Sequence, residues 1–98
     1  MMENKINIVV PVEQNTAAGY DMGRYAYNEC KMRIDIAEKN IISFPSHVTR
    51  VLNSFFSGFF EELRKSMTPG EIKEHFEIES ASPDNDFNTV FINYIKTN

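Results

Sequence analysis

The chain has a single cysteine, Cys30, and only two histidines, His47 and His75. One thiol excludes an internal disulfide framework, and nothing in the composition asks for an oxidising compartment. A metal centre would need carboxylates brought together by the tertiary fold, so none is expected. Also missing are a glycine-rich loop of nucleotide-binding spacing, a G-x-S-x-G turn, an H-E-x-x-H pair and a C-x-x-C pair. No cofactor is expected. The apolar run near the start, Ile6 to Val10, is broken by Asn7 and is far shorter than a signal-peptide core, and no run approaches membrane-spanning length. The expectation is a cytoplasmic protein without a membrane segment. The ten Lys and Arg residues are scattered through a chain of net charge −4, so no basic stripe suits a phosphate backbone. Nucleic acid is not an expected partner.

What is present suits one small domain spanning 1–98. With 42% hydrophobic residues, 98 residues can build a single core but not two domains around a catalytic cleft. Ile6 to Val10 is β-branched and stopped by Pro11, which predicts a first strand; the polar EQNTAAG that follows predicts a loop. From Tyr20 to Lys39 there is no proline. Tyr20, Gly23, Ala26, Tyr27, Cys30, Ile34 and Ala37 share one helical stripe, so a long helix ended by Asn40 is expected. Ile41 to Phe44, stopped by Pro45, predicts a short buried strand.

Residues 50–63, RVLNSFFSGFFEEL, place four phenylalanines within six positions. On a helical wheel Leu52, Phe55, Phe56, Phe59, Phe60, Leu63 and Met67 fall in an arc of roughly 140°, with Ser57, Gly58, Glu61, Glu62, Arg64 and Lys65 outside it. A helix over 54–66 with a phenylalanine core face is predicted, capped by the side-chain oxygen of Asn53 or Ser54. Thr68-Pro69-Gly70-Glu71 reads as a capping box opening a short helix. His75 to Glu79 alternates as a strand does. Ser82-Pro83-Asp84 reads as a further helix start, followed by Phe87, Val90, Phe91, Tyr94 and Ile95 at helical spacing. The order strand, helix, strand, helix, short helix, strand, helix predicts an α/β domain whose small, mixed or largely parallel sheet is covered by helices.

Few residues suggest chemistry. Cys30 lies on the core stripe of the first helix, where an inert thiol is the ordinary outcome. Glu61 and Glu62 point about 100° apart on a helix and read as a solvated face rather than an acid–base pair. Met22, Tyr25, Met32 and Ile36 form a second apolar strip on the first helix. Either a terminal segment covers it or it meets a partner or a second copy as a homodimer.

In order along the chain, Asp21-x-Gly23-x-x-Ala26-Tyr27, Ile42-Ser43-Phe44 with Val48, Asn53-Ser54-Phe55 with Gly58 and Leu63, and Glu71-Ile72-x-x-x-Phe76-x-Ile78 resemble the STAS-like family. These are small bacterial relatives of the sulfate-transporter and anti-sigma-factor antagonist domain, and the likeness covers roughly residues 19 to 80. It implies a small sheet with helices. In antagonist relatives a serine opening the helix after the second core strand is phosphorylated by a histidine-kinase-like ATPase, and its state selects the partner. Ser54 matches that serine. At Ser43 relatives often carry an aspartate, a departure that bears on phosphoryl-linked switching. A phosphate on a helix-start serine adds about −1.5 to −2 charges near the positive end of the helix dipole, which alters a docking surface without unfolding the domain.

The expected function is therefore a non-enzymatic regulatory module that contacts a protein partner, a histidine-kinase-like ATPase or regulator. Its expected surface is Ser46, His47, Thr49, Arg50, Asn53, Ser54 and Ser57, with Ser54 as candidate phosphoacceptor. The alternative is a phage or mobile-element accessory protein that binds a host complex through its acidic surface or the Met22, Tyr25, Met32 and Ile36 strip. A plain helix cap is the alternative reading of Ser54.

Overall fold

The computed structural model describes residues 2–97. In chain order the elements are β1 (Glu3–Asn7), β2 (Thr16–Ala17), α1 (Tyr20–Cys30), β3 (Lys39–Phe44), β4 (Arg50–Val51), α2 (Asn53–Phe59), α3 (Pro69–His75), β5 (Phe76–Ser80) and α4 (Phe87–Thr97). Three parallel strands, in the order β1-β3-β5, make the sheet, and β2 pairs with β4 as a separate parallel ribbon. Parallel neighbours cannot be joined by a tight turn. The crossover from β1 to β3 therefore carries α1, and the crossover from β3 to β5 carries α2 and α3. The molecule is a mixed α/β fold with a small parallel sheet and four helices.

Strand alternation separates two faces. Ile6 pairs with Ile42 and Ile42 with Ile78, and these join Phe44 and Phe76 in the core. The opposite face carries Glu3, Lys5, Lys39, Glu77 and Glu79. There Lys5 reaches from β1 to Glu79 on β5 at 2.9 Å, and Lys39 meets Glu77 at 2.9 Å. The core is an aromatic stack: Phe60 sits edge-on to Phe76 at 5.2 Å and tilted on Phe91 at 5.3 Å, while Phe44 meets Phe55 and Phe87, each at 5.3 Å. Each phenylalanine buried is worth about 1.5–3 kcal/mol, which makes α2 the centre of the fold.

Several expectations shift. The β1 ladder begins at Glu3 because Glu3 pairs with Lys39; Ile8 and Val10 are buried beyond its end. The first helix stops at Cys30, followed by a 3-10 turn over Lys31–Arg33 and an extended Ile34. Asn40 does not end that helix. It lies buried in β3, and its carboxamide holds the 35–38 turn by accepting from the Asp35 N–H (3.0 Å) and donating to the carbonyls of Asp35 (2.8 Å) and Glu38 (3.3 Å). The polar loop before α1 contributes β2. The helix predicted over 54–66 is α2 followed by a 3-10 turn over Leu63–Lys65, and Leu52 is an exposed, extended residue ahead of it rather than part of the core face. Gly58 is buried although the wheel puts it outside the apolar arc. The Thr68 capping box forms as read. Ser82-Pro83-Asp84 is a turn, and Asp86 serves the last helix instead, its carboxylate accepting from the Thr89 N–H at 3.2 Å.

Candidate functional site

The connection from β3 to α2 carries the residues of the expected surface. Pro45 ends β3, and the Val48 N–H closes a turn on the Pro45 carbonyl at 3.1 Å, with Ser46 exposed at its crest. Val48 is buried, and its carbonyl accepts from Asn85 Nδ2 at 3.1 Å. His47 Nε2 lies 3.0 Å from the Pro11 carbonyl, a contact that requires the proton on Nε2. The Thr49 and Arg50 N–H groups both donate to the Asn15 carbonyl, at 2.8 and 3.3 Å, and the Thr49 hydroxyl joins them at 3.2 Å. His47 and Thr49 thus fasten this connection to residues 11–15, and the Arg50 side chain stays exposed.

Asn53 and Ser54 lie exposed on the first turn of α2. Leu52 occupies the cap position, and no side-chain oxygen caps the helix. The expected cap is therefore absent at both Asn53 and Ser54, because a residue already inside the first turn cannot fold its side chain back onto the groups a cap serves. Ser54 reaches across instead: its Oγ accepts from the Gly19 N–H at 2.7 Å. Gly19 has φ 97° and ψ 142°, an extended conformation at positive φ that costs a residue with a side chain about 1–3 kcal/mol. The turn it makes aims its N–H at Ser54 as the chain enters α1. Ser57, half-buried one turn on, donates to the Asn53 carbonyl at 3.2 Å. Asn53, Ser54 and Ser57 share the α2 start; the other expected residues lie on the connection that leads to it.

Two glycines hold α1 and α2 together along their length. A side chain at Gly23 would overlap the Phe55 carbonyl and come within 2.7 Å of the Phe59 nitrogen; one at Gly58 would overlap the Tyr20 carbonyl. The order of contacts, Gly19 with Ser54, Gly23 with Phe55 and Phe59, then Tyr27 with Phe59, shows that the helices run parallel with their starts side by side. Just past the end of α2, Glu61 accepts from the hydroxyl of Tyr20, the first residue of α1, at 2.6 Å, and Arg24 lies 3.6 Å from Glu61 and 3.5 Å from Glu62. These glutamates are half-buried bridging groups rather than a purely solvated face. The Glu61 carboxylate, by accepting from the phenol, holds the Tyr20 pKa above its ordinary value.

Cys30 is buried at the end of α1, and burial pushes its thiol up to about 11. Met22 and Tyr25 lie on α1, Met32 in the 3-10 turn and Ile36 in the turn that follows, so the four do not form one helical strip. Met22 packs against the core; the other three are exposed. Among the described residues no group of three His, Cys, Asp or Glu could hold a metal ion, and no helix is long and apolar enough to cross a membrane. Asn15 and Gly19, which position the expected surface, carry no sequence signal beyond their place in a small, polar loop. Comparison with protein-family models, with curated proteins and with solved structures gives no match to this chain.

Proposed function

We propose that the protein is a non-enzymatic regulatory module that acts by protein–protein contact, with Ser54 as a phosphoacceptor whose state selects the partner. The observation that carries this reading is the exposed Ser54 Oγ, placed where the starts of α1 and α2 meet and held by the Gly19 N–H. Esterifying that oxygen weakens it as an acceptor and sets about −1.5 to −2 charges beside the first turns of both helices. The aromatic core is untouched, so the change is confined to the surface formed by Ser46, Arg50, Asn53 and Ser54. The resemblance to STAS-like antagonists supplies the class of partner, a histidine-kinase-like ATPase or regulator of a bacterial cell.

The test is a pull-down from native lysate with wild type, Ser54→Ala and Ser54→Asp, with intact-mass measurement of the recovered chain. The expected outcome is a phosphate mass on the wild type, a partner kept by Ser54→Ala and that partner lost by Ser54→Asp. Identical partners for all three, with no added mass, would reduce Ser54 to a link between two helices. A second reading, an accessory protein that binds a host complex, draws on the exposure of Tyr25, Met32 and Ile36. It predicts a partner indifferent to Ser54 and lost when those three are made polar.

A further inference from the structure

We propose that the free edge of β1 is a self-association surface, through which two copies of the chain join their sheets antiparallel about a two-fold axis. Ile8 donates to the Ser43 carbonyl and Met2 accepts from the Lys39 N–H, each at 3.0 Å, so the even-numbered residues of this strand turn their amide groups toward β3. Those of Glu3, Lys5 and Asn7 therefore point away from the sheet, and among the described residues no other strand pairs with that side. An uncovered row of this kind is a template for another strand. The opposite edge is obstructed at its middle: the outward N–H of Ile78 on β5 donates to Asn88 Oδ1 of α4 at 3.0 Å.

The exposed apolar side chains gather on the open side. Val9 (78% exposed) and Tyr25 (62%) border one depression between β1 and α1, and Met2 (76%), Met32 (91%) and Ile36 (60%) border the next. An open strand edge flanked by apolar groups is hazardous for a chain that leaves it bare. With one open edge per copy, antiparallel pairing consumes the edge on both and closes into a dimer of six continuous strands, whereas two open edges would propagate a filament. Charge and the apolar flank together select the register. A two-fold at Lys5 would oppose Lys5 to itself, and one at Asn4 would match Glu3 to the partner's Lys5 but leave Val9 outside the pair; a two-fold at Asn7 sets Ile6 opposite the partner's Ile8, and brings Val9 opposite the partner's Lys5. A stable dimer buries about 1,200–2,000 Å² in total, more than a strand pair supplies, so the proposal requires the exposed Val9 and Tyr25 flanking the edge to join the contact.

The experiment is sedimentation equilibrium over a concentration series, with circular dichroism as the fold control. Asn7→Pro removes an outward N–H that β3 does not use, so it blocks the edge and spares the β1–β3 ladder. Tyr25→Glu charges the flank without touching the sheet. The wild type is expected to be a dimer, and each variant to weaken it by at least about tenfold with an unchanged spectrum, roughly the loss of one paired group. Asn7→Cys is expected to form a disulfide-linked dimer on mild oxidation while the buried Cys30 stays reduced. If Asn7→Pro fails to fold, Tyr25→Glu and the cross-link decide. A wild type that stays monomeric at its highest soluble concentration would overturn the proposal, as would a dimer that ignores Tyr25→Glu and does not cross-link at position 7.

Discussion

At the scale of single residues, Asn40 does more than its place in an apolar strand suggests. Besides holding the 35–38 turn, its carboxamide accepts from Asn4 Nδ2 at 2.9 Å and donates to the His75 carbonyl at 3.2 Å, so one side chain ties β1, β3 and the end of α3 together. Replacing it removes a donor from the Asp35 and His75 carbonyls and an acceptor from the Asp35 N–H and Asn4, while the Glu38 carbonyl keeps its contact with His75 Nδ1 at 3.0 Å. Asn40→Ala is expected to lower the unfolding free energy by about 2–4 kcal/mol in a urea titration, whereas Asn4→Ala, which removes one partner at the rim, costs about 1 kcal/mol. Cys30 gives a pH signature. Its ordinary value is 9.0 and the folded value about 11, so above pH 9 the unfolded chain loses the thiol proton first and the folded chain retains it. The unfolded state then binds fewer protons, and stability falls as pH rises from 9.0 to about 11 before levelling. The expected result is that the wild type loses stability across this window relative to Cys30→Ala, read as the difference between their urea midpoints.

At the scale of elements, the contact between α1 and α2 depends on the missing side chains of Gly23 and Gly58. Alanine at either position favours the isolated helix by about 1 kcal/mol. Here it meets backbone atoms of the facing helix, which cannot move without dislodging the phenylalanines behind them. Gly23→Ala and Gly58→Ala are each expected to destabilise by at least about 2 kcal/mol net, read from thermal or urea unfolding. Both act by forcing the same pair apart, so the double variant should cost less than the sum. The legibility of these two glycines in the sequence was unequal. Gly23 falls on the apolar stripe of α1, but Gly58 reads as outward because the arc marks only apolar side chains and cannot register a face buried by the absence of one. The phenylalanine face was readable for the opposite reason: four large rings at helical spacing leave one way to hide them.

At the scale of the whole molecule, the helices lie over one face of the sheet, and on the other the buried Ile41 lies between the polar side chains of Lys5 and Glu77. Hydrogen bonds hold three carboxyls below their ordinary range: Glu79 chiefly from Lys5, Glu71 from the Thr68 backbone, and Asp86 from the Thr89 hydroxyl. The unfolded chain takes up these protons first on acidification. Their contribution is therefore present at neutral pH and is lost as pH falls through the ordinary carboxylate range to the lower folded values. Urea midpoints are expected to drop across that window, and Glu79→Gln to flatten part of the drop. Salt should shrink the Glu79 share, because both partners of that pair are exposed to solvent.

Sequence alone was enough for what local periodicity and cap chemistry control: the α/β alternation, the aromatic face of α2, the capping box at Thr68 and the apolar positions of α4. Each is a statement about neighbours within a turn or two of chain, where side-chain spacing and backbone hydrogen bonding act directly. What only the tertiary structure decided depends on groups far apart in the chain. Asn40 looks like a helix stop until β1 and α3 bring it partners, and Ser54 looks like a cap until Gly19 arrives 35 residues away to donate to it. The strand Glu3–Asn7 starts where its parallel partner allows rather than where its own β-branched run begins. Which edge of the sheet remains open is likewise invisible in the residues of β1. Among the described residues it follows from the strand order β1-β3-β5 and from Asn88 taking up the Ile78 N–H on the other side, both fixed by long-range pairing rather than by local preference.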